Sequence, residues 1–463
     1  MQKVSFREKI GYGIGAVGLD LSYGLFYSYL SIYLTNVMGI KSLFLLILAP
    51  IARLWDGIND PMMGTLVDMT NTKMGKYRPW IIIGAVCNAV VLCLLFNNPG
   101  FDYGSVGLYI YIALLYVFWG MTNTLADIPY WSMVPSFSSE EKERNAVSTI
   151  ARTFSGLGQG IIIIFTPYAL KLLGDGTNED VNAQGFGRWA MIAAVLLVFF
   201  AVCCVLSTKE KNVVMGQKEK FSLKNSVKTI KSNDQLLVFM LFAMISNAGY
   251  YMTSGISGYY FTVICGDIAL QSIFNMFGAV GSIVGLLVIP VCSSAFKMTN
   301  RQTYKTSLIM AVAGYVGMFA AGTFFNKNVY IMGAFYFVTS LGIASMFVNQ
   351  TVMLADVVDY GEFHTGKRSE SLTFSMKGFL QKMAYTVQCI IMYGLFLATG
   401  YVVGQDKVQS AAAQGAISAM MYIIPPALII ISLIIFSKKY KIYGEYKTEV
   451  LNFINEKRES EHK

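Results

Sequence analysis

The chain has 463 residues, of which 55% are hydrophobic and only 14% charged, with a formal net charge of +9. A mean hydropathy of +0.52 excludes an ordinary soluble domain and a disordered chain. It fits repeated runs of about 20 apolar residues, the length at which a helix crosses a bilayer. The basic balance suggests a nucleic-acid partner only until the lysines and arginines are located.

The basic start, Met1 to Lys9, leads into an apolar run that is too long for a signal peptide and has no small-residue cleavage site, so it reads as a first span. Apolar runs of helical length occupy 11–37, 42–68, 80–97, 108–135, 146–171, 188–207, 235–262, 268–295, 304–325, 329–356, 372–399 and 410–437. The expected fold is therefore an all-α membrane protein with twelve transmembrane helices in two six-helix halves. The first half covers 1–208 and the second 235–437; a middle loop covers 209–234 and a tail 438–463. Within the loop, Ser222 to Lys231 is expected to form a short amphipathic helix at the membrane surface. Hydropathy alone supports the two-fold repeat, an architecture that puts a binding site between the repeats near the midplane.

If both termini are cytoplasmic, 27 of the 36 lysines and arginines lie inside, five outside and four within spans. That is the bias of the positive-inside rule, so the charge reports orientation in a cell membrane, and no nucleic-acid partner is expected. The seven cysteines lie in or beside apolar runs with no metal spacing and read as small buried hydrophobes.

Eight charges fall within the spans: Asp20, Asp56, Asp60, Asp127, Arg53 and Arg152 in the first half, and Lys377 and Lys382 in the second. Each costs roughly 2.5–3.5 kcal/mol at bilayer depth on insertion scales. The stretch Arg53-Leu-Trp-Asp-Gly-Ile-Asn-Asp60 sets Asp56 and Asp60 on one helix face, with Asn59 beside them and Arg53 one turn before. Two carboxylates on one face call for a cation during part of a working cycle. The plainer alternative is an internal salt bridge to Arg53. The first half carries a net −2 and the second +2, so a bound cation would lower repulsion at a shared site and favour a polar second ligand.

In Asp127-Ile-Pro-Tyr-Trp131 a carboxylate stands one turn from an indole, beside a proline that removes a helix hydrogen bond. Carboxylate and ring together suit the hydroxyls and C–H faces of a sugar, although membrane tryptophans commonly anchor at interfaces. Asp20 lies about ten residues into the first helix, near mid-membrane by rise per residue, and has base pairing as its plainer reading. Lys377 can snorkel to the surface; Lys382 lies deeper. Glu143, Arg144, Asp356, Asp359, Glu362 and Arg368 gather at inner helix ends, either as solvated loop charges or as a network that closes the inner side.

Four stretches carry a family resemblance: Arg53 to Gly64, Gly75-Lys-Tyr-Arg-Pro-Trp80, Asp127 to Pro135, and Ala355 to Phe363. They resemble the glycoside–pentoside–hexuronide:cation symporters of the major facilitator superfamily, and the likeness runs from about Gly11 to the end of the eleventh span. It implies sugar uptake driven by a sodium or proton gradient, with no cofactor beyond the coupling ion. It places the cation at Asp56, Asn59, Asp60 and Thr124, with Na+ held chiefly by Asp56 and Asp60. It places the sugar at Asp20, Asp127, Trp131 and Arg152, with Lys382 linking the halves and Lys377 nearby. Arg144, Asp356, Asp359, Glu362 and Arg368 become inner-gate residues. Leu19, Asn123 and Phe347 depart from the family's melibiose carriers, which turns the expectation toward another sugar. The protein is expected to function as a monomer in the lipid bilayer, with sugar and Na+ or H+ as its partners. Two rivals remain: a symporter of another amphipathic cargo such as a lysolipid, and a membrane sensor that binds without moving its ligand. No buried nucleophile–base pair points to an enzyme.

Overall fold

A computed structural model describes residues 4–138, 141–174, 182–210, 232–366, 370–404 and 408–461. The regular structure of these residues is helical: α1 (Phe6–Ile32), α2 (Ser42–Met69), α3 (Arg78–Leu95), α4 (Val106–Ser132), α5 (Glu141–Leu173), α6 (Ala183–Ser207), α7 (Asp234–Tyr259), α8 (Ala269–Ala295), α9 (Asn300–Phe324), α10 (Val329–Thr365), α11 (Glu370–Thr399), α12 (Ala411–Tyr422), α13 (Ile424–Lys439) and α14 (Gly444–Glu461). Ten of these helices are long and apolar enough to cross a membrane, or eleven if α12 and α13 count as one span bent by 43°. The count of twelve differs by α1, a 27-residue helix whose glycines, serines and tyrosines dilute its hydropathy. The bend falls where Pro425 and Pro426 lack the amide hydrogens that would continue the helix.

Several helices outrun the apolar runs that announce them. α5 begins at Glu141 and α10 continues to Thr365, so Arg144, Asp356, Asp359 and Glu362 are helical rather than loop residues. The stop of α10 is Gly366, in the left-handed region at φ 71°. The expected amphipathic helix from Ser222 lies outside the described residues. The seven cysteines are all free.

Two compact units emerge. The first comprises Met1–Lys220 with Phe261–Ser272 and Phe396–Ala411; the second comprises Phe221–Tyr260, Ile273–Leu395 and Ala412–Lys463. In the first, α1 packs on α5 and α6 through small residues. A Cβ on Gly15 would come within 2.8 Å of Cys204, and one on Gly158 within 2.5 Å of the Val17 carbonyl. The hydroxyls of Tyr12 and Tyr130 each donate to the other's backbone carbonyl, with the two rings stacked at 4.3 Å, which ties α1 to the proline turn of α4. In the second unit α8 lies against α10 in the same way, with Gly281 facing the Phe337 carbonyl and Gly285 that of Leu341.

α2 shows the inside-out logic of a bilayer helix. Its exposed side carries Leu43, Ile47, Ile51, Leu54, Met62 and Leu66, while its buried side carries Arg53 and Asp56. An apolar exterior wrapped around charge is stable in lipid and not in water.

Also within the first unit, Tyr401 donates to Asn36 Oδ1 at 2.7 Å, and Lys171 pairs with Asp267 at 2.6 Å. Burial alone would raise the Asp267 carboxyl, but the Lys171 hydrogen bond, the Ala269 amide and the lysine charge outweigh it and hold the group below its ordinary value. A depressed carboxyl adds stability that is complete above its unfolded value, near 3.9, and is lost as pH falls through the folded one. Both side chains are about two-fifths exposed, so solvent screening keeps the effect small. Melting temperature followed from pH 6 to 3 should fall slightly less steeply for Asp267→Asn than for the parent; parallel curves would show that the pair adds nothing.

Candidate functional site

Four helices of the first unit bring together the acids and bases expected from the sequence. Asp56 and Asp60 come from α2, Thr124, Asp127 and Trp131 from α4, Arg152 from α5 and Asp20 from α1. Arg53 Nη1 donates to Asp56 Oδ2 at 2.7 Å and to the Tyr27 hydroxyl at 2.7 Å. Its Cζ stands 5.2 Å from the Tyr27 ring, 5.7 Å from Phe26 and 5.8 Å from Tyr116. The guanidinium is thus held among aromatic faces, with a carboxylate on one edge. Asp56 is therefore engaged by the base one turn before it, the arrangement weighed above as the plainer alternative.

Asp60 sits differently. It is half-buried and accepts from Thr124 Oγ1 at 3.0 Å across the α2–α4 contact. That contact is close because α4 has glycine at 120, where a Cβ would lie 2.7 Å from Asp56 Oδ1. The side-chain nitrogen of Asn59 is buried and has no hydrogen-bond partner among the described residues. Asn59 lies between the two acids in sequence, three residues after Asp56 and one before Asp60.

A second cluster lies further along α4. Trp131 Nε1 donates to Asp127 Oδ1 at 3.0 Å, and the Arg152 guanidinium stacks 3.7 Å from the Trp131 ring centroid. Asp20, half-buried on α1, has Ser155 of α5 and the charged groups of Asp127 and Arg152 as neighbours. One indole face is covered by arginine, and the carboxylate holds its edge. The helix runs through Pro129 without a break.

Lys377 and Lys382 belong to the second unit, both half-buried on α11. Lys377 Nζ donates to Thr351 Oγ1 on α10 at 2.6 Å, so its ammonium is directed to a neighbouring helix. Among the inner-gate candidates, Asp356 pairs with Lys447 of α14 at 2.6 Å. Asp359 is half-buried and Glu362 buried on the same helix. Arg144 is half-buried on α5, beside Glu143, which pairs with Lys9 at 2.8 Å. Arg368 lies outside the described residues. The partners that sequence reasoning missed are Tyr27, Gly120, Ser155 and Lys447. Tyr27 carried a faint signal, two helical turns from Asp20.

An all-helical membrane protein with paired acids inside its apolar helices has the build of a major facilitator transporter. The D-xylose–proton symporter shares that fold, at a TM-score of 0.65 and 12% identity over 94% of this chain and 97% of that one. A family profile described as MFS/sugar transport protein matches residues 11–443. The chain is 25% identical over 460 residues to the lactose permease of Lactobacillus delbrueckii subsp. bulgaricus, covering 97% of this chain and 72% of that one. It is 27% identical over 424 residues to the isoprimeverose transporter of Lactiplantibacillus pentosus, covering 91% and 86%. The chain belongs to this sugar-transport family, the glycoside–pentoside–hexuronide:cation symporters, and is a membrane transporter rather than an enzyme.

Proposed function

We propose that the protein carries a glycoside inward together with a cation, sodium in the first instance. The observation that carries this reading is the Asp60–Thr124 contact beside Asp56 and Asn59, an oxygen-rich cluster inside apolar helices of a chain matched to sugar transporters along nearly its whole length. Hard cations take oxygen ligands, and a carboxylate with a hydroxyl and an amide carbonyl supplies them. Asp56 is hydrogen-bonded to Arg53 and Asp60 to Thr124 one turn on, and both carboxylates are given to the ion. Turning the Asn59 amide end for end would direct its carbonyl oxygen to the ion.

The sugar binds at Asp20, Asp127, Trp131 and Arg152, with hydroxyls to the charged groups and C–H face to the indole. The parts given to Lys377 and Lys382 rest on the resemblance alone. The lactose, raffinose and isoprimeverose relatives favour a glycoside as cargo over a lysolipid. The protein sits in the cell membrane with both termini in the cytoplasm, acts as a monomer, and needs no cofactor besides the coupling ion.

The deciding experiment is uptake of a glycoside panel into vesicles, with sodium and proton gradients imposed separately. Accumulation of a sugar under either gradient supports symport and identifies the ion; binding without accumulation under both would reveal a sensor. Trp131→Ala should weaken sugar binding about tenfold, the loss of roughly 1.4 kcal/mol of stacking, with cation binding unchanged. Unaltered sugar affinity would remove Trp131 from the site.

A further inference from the structure

The motif Gly75-Lys-Tyr-Arg-Pro-Trp80 takes no part in either cluster. It forms the turn between α2 and α3, which is braced from within. Thr72 Oγ1 donates to the Gly75 carbonyl at 2.8 Å and accepts from the Met74 amide at 3.2 Å; Trp80 Nε1 donates to Thr70 Oγ1 at 2.8 Å. Against this turn lies one carboxylate from a distant part of the chain. Glu210, three residues past the end of α6, accepts from the Lys76 amide at 2.7 Å, the Tyr77 amide at 2.9 Å and the Arg78 amide at 3.1 Å. Gly75 has φ +112°, and a Cβ there would stand 2.5 Å from Glu210 Oε1, so glycine is required both for the backbone and for the room.

Arg78 reaches the opposite way. Its Nε and Nη2 donate to the Val205 carbonyl in the last turn of α6, at 3.1 and 2.6 Å, and its Nη1 donates to the Met74 carbonyl at 3.2 Å. An arginine at the first residue of a helix opposes the positive end of that helix's dipole. Here its charge is carried to the negative end of α6, while Glu210 brings a carboxylate to the positive end of α3. Consecutive amides converging on a single carboxylate have the build of an anion receptor.

We infer that Gly75 to Arg78 is an anion-binding nest whose occupant is the chain's own Glu210, and that Glu210 and Arg78 form a reciprocal latch fastening the start of α3 to the end of α6. Each side chain completes the terminus of the other's helix. The nest accepts a carboxylate or a small oxyanion of similar size. The inference does not depend on which ion or sugar is carried, and it gives a structural role to a stretch of the family resemblance that the transport site leaves unused.

Amide hydrogen exchange on the purified full-length chain tests it. Glu210→Ala should speed exchange at Lys76, Tyr77 and Arg78 about tenfold, the scale of losing charge-assisted hydrogen bonds, with Glu210→Gln between it and the parent. The middle of α3 should be unaffected. No change at the three amides, or an equal rise along all of α3, would overturn the latch. Sulfate, compared with chloride at constant ionic strength, should restore slow exchange in Glu210→Ala and leave the parent as it was. An equal response in both proteins, or none in either, would overturn the anion nest. In melting experiments Arg78→Gln with Glu210→Ala should cost about as much as the worse single change, because either one opens the latch. Additive losses would show two unrelated contacts.

Discussion

Asp60→Asn is expected to abolish uphill accumulation of sugar while leaving downhill exchange in place. The amide is the same size and retains an acceptor for the Thr124 hydroxyl, so the α2–α4 contact of 3.0 Å can survive. What disappears is the Asp60 charge, one of the two carboxylates to which the ion is assigned. Without it the bound cation no longer favours the sugar-bound state, the coupling free energy falls away, and the concentration ratio settles at about one. Counterflow of labelled sugar separates this outcome from misfolding, since it requires a folded carrier and no ion gradient. Full accumulation by the variant would refute the cation site.

The second large effect is on stability. Arg53 and Asp56 are 1% and 2% exposed, an ion pair sealed inside aromatic side chains. Removing one partner leaves the other charge buried without this bond, at a cost of about 3–5 kcal/mol. Arg53→Ala should therefore lower the melting temperature sharply and Asp56→Leu comparably, whereas the double change Arg53→Met with Asp56→Leu should recover much of the loss. If the double variant is as unstable as the sum of the singles, shape and not charge makes the pair matter. Arg53→Lys should destabilise less, since one ammonium can repeat the two bonds that Nη1 alone makes to Asp56 and Tyr27 and loses only the packing of the planar group against Phe26, Tyr27 and Tyr116.

Much of the site was legible because helical spacing is local. The Arg53–Asp56 bond spans three residues and the Asp127–Trp131 bond four, and both follow from 3.6 residues per turn. The Asp60–Thr124 contact was not legible from residues alone. It depends on how far α4 slides along α2, which Gly120 helps to set, and only the family resemblance anticipated it. Hydropathy misjudged helix ends for a different reason. It measures where chain leaves lipid, not where helix stops, so the charged turns from Asp356 to Glu362 read as loop although the helix continues to Thr365. The tail shows the same limit. Gly444–Glu461 is too polar to register as a span, yet it forms a helix whose Lys447 holds Asp356 and whose Phe453 meets Phe363 edge-on at 5.0 Å.

The partner of Asp56 lies on its own helix, and this bears on how the chain enters the membrane during synthesis. Had the neutralising base come from another span, α2 would have to insert carrying bare charges and wait for its neighbour. With Arg53 one turn away, the pair can close as soon as that stretch of helix forms, inside the translocon and before any other span has docked. Two charges that cost roughly 2.5–3.5 kcal/mol each when isolated then enter as a neutral hydrogen-bonded unit. Moving the arginine to a facing helix would preserve the folded ion pair and still be expected to lower the yield of correctly inserted protein.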